Sequence, residues 1–253
     1  MEGVMMRGSQ TMAVALRHPE GHIVVETEPL NETLYRGPIS RIPFLRGLIM
    51  LWDALGLGTK ALMMSADVAA GEEVSLSGPT SWGMVVIGVG MGVGLFMLLP
   101  SFLIGLVAPY IAGEWLSSLL EGIVRLVLVV GYIWAVGYMP DIRRVFAYHG
   151  AEHKTINAYE GGADLSVDGV RPFPTAHTRC GTAFILIVVF VSVLVFSLLG
   201  RPPLPVRLAS RILFLPLISG IAYEWLKFSA RHESAWWARI LVAPGLAMQR
   251  LTT

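Results

Sequence analysis

The sequence predicts a mainly α, polytopic membrane protein: about four transmembrane helices, an interfacial amphipathic helix and a small N-terminal β-hairpin. Three observations carry this. Of 253 residues, 54% are hydrophobic and only 15% charged, with a mean hydropathy of +0.63, whereas an average soluble domain carries about 25% charged residues. Uncharged runs recur at close to the roughly 20 residues a helix needs to cross a ~30 Å hydrocarbon core. The cations are distributed unevenly among the segments that flank these runs. A net charge of +1 excludes nucleic-acid binding by a basic surface, and the hydropathy excludes disorder. The single cysteine, Cys180, excludes an intrachain disulfide.

Residues 1–40 contain the hairpin. MAVALR and HIVVETEP, apolar and β-branched, flank the turn His18-Pro19-Glu20-Gly21. His18 and His22 border the turn as solvated surface residues, and no secretory h-region follows Met1. In residues 41–80, long apolar stretches are interrupted by Arg46, Asp53 and Lys60. This suits an amphipathic helix on the bilayer or under the bundle; as a span it would bury three charges.

Residues 81–138 hold spans one and two. The first uncharged run follows Glu73, and its apolar part covers 82–109. It carries Gly88, Gly90, Gly92 and Gly94 as two overlapping GxxxG patterns. These suit either close helix–helix packing, a homo-oligomer through this helix included, or a glycine-rich span without a specific partner. Pro100 is expected to kink or divide it. Span two, 118–138, places Glu121 and Arg125 four residues apart, the spacing of a paired structural role. Residues 181–226 hold span three, 181–200, with no charge, and span four, 204–226, with Glu224 near its end. Residues 227–253 form a tail.

Lys and Arg number six before span one, five between spans two and three, and four after Leu226. The loop after span one has none, and that after span three has Arg201 and Arg207. A cytoplasmic location for both termini and for the central 139–180 loop satisfies all of these counts.

The central loop carries the chemistry. After Pro140, with Asp141 as N-cap, IRRVFAYHGAEHKTINAYE reads as a helix closed by Gly161-Gly162. Ile142, Val145, Phe146, His149, Glu152, His153, Ile156 and Tyr159 recur at steps of three and four and share one face. His149-x-x-Glu152-His153 has the arrangement of the inverted zinc-peptidase motif. Histidines at i and i+4 direct two imidazoles at one cation, with the glutamate as general base. The competing reading is a pair of core histidines bonded to backbone or carboxylates.

A catalytic zinc would need a third protein ligand. Glu160 lies seven residues beyond His153, about 10.5 Å along a continuous helix. Glu224 is the better candidate, with a surface pair to Lys227 or Arg231 as its alternative. His177 and Cys180, in AHTRCGT, are further candidate ligands. Glu160 and Arg179 are candidate substrate residues; Arg179 suits either a substrate carboxylate or phosphate, or an interfacial anchor.

EGVMMRG at the start, RGLIMLWDALGLGTKALMMSA, YHGAEHKTINAYE, RCGT and the closing PGLAMQRLTT together resemble the YqhQ-like family of bacterial integral membrane proteins. Members of that family are sometimes described as predicted metal-dependent enzymes, and usually carry further residues before the first block. The resemblance covers nearly the whole chain. It implies a multi-pass location in the bacterial inner membrane and matches at His149, Glu152, His153, Glu160, His177, Arg179, Cys180 and Glu224.

The leading expectation is a zinc-dependent hydrolase at the cytoplasmic face. His149, His153 and Glu224 hold the metal, Glu152 is the base, and the substrate is a membrane-associated peptide or a lipid-linked ester. Two other classes stand beside it. One is a transporter, channel or lipid translocator in which Glu121 and Arg125 line a path. The other is an assembly factor that docks through the hairpin region.

Overall fold

The computed structural model describes residues 2–70, 79–200, 202–232 and 235–253. Glu73 and Arg201 of the sequence reading lie outside them. The N-terminal residues form not a hairpin alone but a three-stranded antiparallel sheet in the order β1 (Gly3–Arg7), β2 (Thr11–Arg17), β3 (Ile23–Pro29). Alternation along the central strand buries Met12, Val14 and Leu16, while Thr11 and Arg17 face out. The turn between β2 and β3 needs a residue at positive φ, and Gly21 takes it at 93°.

After a single turn, α1 (Glu32–Tyr35), the chain enters α2 (Arg46–Trp52), a π-helical turn at Asp53–Leu57 and α3 (Gly58–Ala70). This is the expected amphipathic helix. Leu57, Ala61, Met64 and Val68 pack on the buried face of the sheet. Each interrupting charge has a partner: Arg46 with Glu224, Asp53 with Arg7 at 2.8 Å, and Lys60 with Glu28 at 2.6 Å.

Among the described residues, four helices suit a membrane crossing by length and composition: Arg46–Val68, Val85–Tyr110, Glu114–Val136 and Gly181–Leu198. The first of these is the stretch whose charges argue for the interface, and the sheet covers one side of it. Span one is α4 (Pro79–Val93), a π-helical turn at Gly94–Leu98, and α5 (Leu99–Val107). Pro100 neither divides it nor leaves a polar gap. Lacking an N–H, Pro100 cannot engage the carbonyl four residues back, and Arg125 Nε donates to that carbonyl, Phe96 O, at 2.8 Å. Span two is α6 (Glu114–Val136).

The 204–226 stretch is not one straight span. It is α10 (Leu204–Leu213) and α11 (Leu215–Arg231), bent by 44° where Pro216 opens the second helix. The central loop supplies α7 (Pro140–Glu160) and a single turn, α8 (Val167–Val170), ahead of α9 (Gly181–Leu198). The C-terminal tail is largely the helix α12 (Trp236–Thr252).

α9 is the hub, with α6, α11 and α12 packed around it. Lipid removes the hydrophobic driving force between helices, so close approach decides which pairs form. A Cβ at Gly245 of α12 would lie 2.9 Å from Ala183 Cβ of α9. One at Gly47 of α2 would lie 2.6 Å from the Ser219 carbonyl oxygen of α11. By contrast, Gly88, Gly90, Gly92 and Gly94 face open space within the chain. The packing partner their spacing suggests is not among the described residues.

Candidate metal centre

α7 delivers two imidazoles to one place because its residues 149 and 153 lie one turn apart on the face turned toward α12 and the 175–180 loop. Its first residue is Pro140, so Met139 rather than Asp141 is the N-cap, and Pro140 fills a position whose N–H is unpaired in any helix. Gly150, His153 and Ala158 are buried, but Tyr159, expected on the same face, is exposed.

Both imidazoles are held by backbone. His149 Nδ1 donates to the Thr252 carbonyl at 2.8 Å and His153 Nδ1 to the Thr175 carbonyl at 2.5 Å. Those bonds orient both rings through Nδ1 and leave Nε2 as the nitrogen of each that the backbone does not engage, the arrangement found behind metal-ligating histidines. His149 Nε2 lies 3.3 Å from Cys180 Sγ. One donor atom each from His149, His153 and Cys180 falls within 4.8 Å of the others. Ligands about 2.0–2.3 Å from a tetrahedral zinc stand about 3.5 Å apart, so the trio is close to that spacing.

Cys180 caps α9, its Sγ accepting from the Thr182 N–H at 3.3 Å. Burial alone would push the thiol up. The hydrogen bonds from His149, His153 and Thr182 outweigh it and bring the thiol down to about 5. Burial likewise opposes charge on His149, yet the Cys180 sulfur, the Thr252 carbonyl and Glu152 together raise it. Glu152 is raised by burial, against the pull of both histidines. No hydrogen bond from the described residues ends on its carboxylate, although it lies in the field of all three members of the trio.

The other expected residues are engaged elsewhere. Glu224, the expected third ligand, takes a two-pronged ion pair from Arg46, with Nε to Oε1 at 2.6 Å, and accepts the Phe44 N–H at 3.1 Å. Neither Lys227 nor Arg231 is its partner. His177 stands behind the trio, its ring 5.9 Å from that of His153 and its Nε2 3.5 Å from Glu160 Oε2. Glu160 and Arg179, the candidate substrate residues, pair with each other at 2.7 Å. The third member of the trio is therefore Cys180.

α12 completes the site with groups that the side-chain pattern did not single out. Gln249, 1% exposed, accepts the His177 N–H at 2.9 Å and donates to the His177 carbonyl at 2.8 Å. It thereby holds the loop that carries Thr175 and Cys180. A second trio, His18, Glu20 and His22, lies at the exposed β2–β3 turn, where the two rings stack at 4.4 Å.

Comparison with known proteins gives two matches. Residues 42–253 match the model of a family described as a protein of unknown function, DUF1385. The chain is 33% identical over 267 residues to the uncharacterized protein YqhQ of Bacillus subtilis (strain 168), covering all of this chain and 84% of the relative. No solved structure matches.

Proposed function

We propose that this chain, which belongs to the DUF1385 family and is similar to YqhQ, is a metal-dependent hydrolase whose centre is His149, His153 and Cys180. The observation that carries the reading is the convergence of those three donors from two separate segments, with both histidines oriented by carbonyls. Two imidazoles and a thiolate are a donor set of the zinc type. A divalent cation held there supplies Lewis-acid polarisation of a water or of a substrate oxygen.

The residues around it divide the remaining work. Glu152 stands beside the trio without a hydrogen-bond partner among the described residues and is raised by burial, so it is suited to take a proton from water. The Thr252 and Thr175 carbonyls keep the imidazoles aimed, and Gln249 holds the loop. The excess of Lys and Arg in the termini and the central loop supports a cytoplasmic orientation for this end of the bundle, in a bacterial inner membrane, with both termini on the same side. A membrane-associated substrate reaches it there.

One observation favours a second reading on the same atoms. Cys180, His149 and the Thr252 carbonyl form a nucleophile, base and orienting group in sequence, which suits thiol chemistry without a metal.

The test is elemental analysis of the purified protein. About one zinc per chain is expected, lost in His149→Ala and Cys180→Ser and retained in Glu152→Gln. Substoichiometric metal that His149→Ala leaves unchanged would end the metal reading and leave the thiol one.

A further inference from the structure

Beside the centre, sharing its 177–180 loop, is a cavity of about 570 Å³. Its charged lining residues are all cationic: Arg7, Arg179, Lys227 and Arg231. Two of them are neutralised from outside the cavity, Arg7 by Asp53 at 2.8 Å and Arg179 by Glu160 at 2.7 Å. Lys227 and Arg231 form no ion pair among the described residues; the acid one turn before Lys227, Glu224, is taken by Arg46. Among the described residues the cavity thus holds two cations, Lys227 and Arg231, that no ion pair engages. They lie on the last two turns of α11, and Met50, Tyr223 and Leu226 give the same cavity an apolar wall.

We infer that this cavity binds the phosphate of a membrane amphiphile, a phosphate mono- or diester headgroup, and presents it to the neighbouring centre. Guanidinium and ammonium groups around one void match the charge and tetrahedral oxygens of a phosphate. The volume exceeds what a carboxylate fills and leaves room for the rest of a headgroup. The apolar wall lies on the side of the bundle core, where Leu226 packs with Ala183, Phe184 and Ala222. Arg179 connects the two sites: it lines the cavity and directly precedes Cys180 in the chain. As a binding site the cavity stands without the metal; as the place of a substrate headgroup it rests on the proposed hydrolase.

The experiment is a binding titration of the full chain in nonionic detergent, with short-chain phosphatidic acid as probe and short-chain phosphatidylcholine and inorganic phosphate as competitors. Saturable binding of phosphatidic acid is expected, weakened at least tenfold in the double variant Lys227→Gln/Arg231→Gln and more mildly in Lys227→Gln alone. Arg143→Gln, an exposed cation on α7 outside the cavity, should bind as the parent does. Displacement by inorganic phosphate supports a cavity for which free phosphate suffices. Displacement by lipids alone supports a headgroup that needs its tail. Binding that the double variant weakens no more than Arg143→Gln does would make these cations interfacial anchors and overturn the proposal. So would binding lost in His149→Ala but kept in the double variant, since the phosphate would then sit on the metal centre. Binding kept in His149→Ala and lost in the double variant sustains the cavity even where the elemental analysis defeats the hydrolase.

Discussion

α9 has a polar cluster at each end, about 27 Å apart for its 18 residues, and the two are built in opposite ways. At its N-terminal end, His149, His153 and Cys180 spend their outer hydrogen bonds on backbone and turn their remaining donor atoms toward one another. At the other end, Glu121 is 2% exposed and every direction around its carboxylate is used. Ser101 donates to Oε1 at 2.8 Å, as do Arg125 at 3.1 Å and Arg211 at 3.0 Å, while Arg207 reaches Oε2 at 3.1 Å. Three guanidiniums and the Ser101 hydroxyl on one carboxylate tie α5, α6 and α10 together, and Arg211 further lies over the Phe196 ring at 3.9 Å. The Glu121 cluster is a clamp: its carboxylate is fully engaged, although Arg207 Nε and Arg211 Nη1 are buried without a hydrogen bond among the described residues. The His149, His153 and Cys180 cluster instead brings three metal-ligand atoms to one place, and that distinguishes a site for a cation from a charged structural knot.

The largest effect that would break this comparison is on the clamp. Glu121→Gln keeps the shape and removes the charge, leaving three cations together in a buried place. Breaking a buried ion pair on one side costs about 3–5 kcal/mol, so unfolding in detergent should shift by that order. Metal content should be unchanged. Cys180→Ser should do the reverse, emptying the centre with little change in unfolding. A Glu121→Gln protein as stable as the parent would deny that the cluster holds the bundle.

The second prediction concerns pH. A thiol brought down to about 5 is thiolate throughout the neutral range, whereas an ordinary thiol near 8.5 gains reactivity about tenfold per pH unit below that value. In metal-stripped protein, the alkylation rate of Cys180 should therefore be nearly flat between about pH 6 and 8. Because the hydrogen bonds of His149 and His153 lower the thiol against burial, His149→Ala should restore a rate that climbs with pH. A steep climb in the parent protein would show that those hydrogen bonds do not hold the sulfur as thiolate.

How much of this was legible in the sequence follows from the range of each interaction. The α7 helix, its two histidines and the Glu121–Arg125 pair are i to i+4 features, and their spacing prints them directly in the chain. The third member of the trio was not legible as such. The sequence offers Cys180 only among several candidates and favours Glu224, because an acid near a span end needs a partner. That partner is Arg46, 178 residues away, and no local pattern marks it. The carbonyls of Thr175 and Thr252 leave no side-chain signature at all. The bend between α10 and α11 had Pro216 as its signal, in a stretch whose hydropathy reads as continuous. Strand β1 is set by pairing to β2, as in Met5 opposite Val14, so a search for hairpins around one turn passes it by.

Gln249 provides a smaller test of whether the C-terminal helix belongs to the centre. Its amide bridges both backbone groups of His177, so Gln249→Leu frees the loop that positions Cys180 and the Thr175 carbonyl. Removing a group that orients a ligand typically weakens metal binding by 10- to 100-fold, and about tenfold is expected here because Gln249 acts through the loop. Competition with a chromophoric chelator measures it. An unchanged affinity would separate α12 from the centre despite its contact with His149.

The smallest expected effect probes how far the clamp depends on its neutral member. Ser101→Ala removes one hydroxyl donor from Glu121 Oε1 and leaves the three guanidiniums in place. A buried hydrogen bond contributes about 0.5–1.5 kcal/mol net, and here the acceptor keeps other donors, so the loss should fall at about 1 kcal/mol. The double variant Ser101→Ala/Glu121→Gln should then lose less than the two single losses added together, because the hydroxyl's bond is to the charge that Glu121→Gln removes. Strict additivity, measured by unfolding in detergent, would mean that Ser101 stabilises α5 independently of Glu121. The clamp would then consist of the four charged groups alone, joining α6 to α10 without α5.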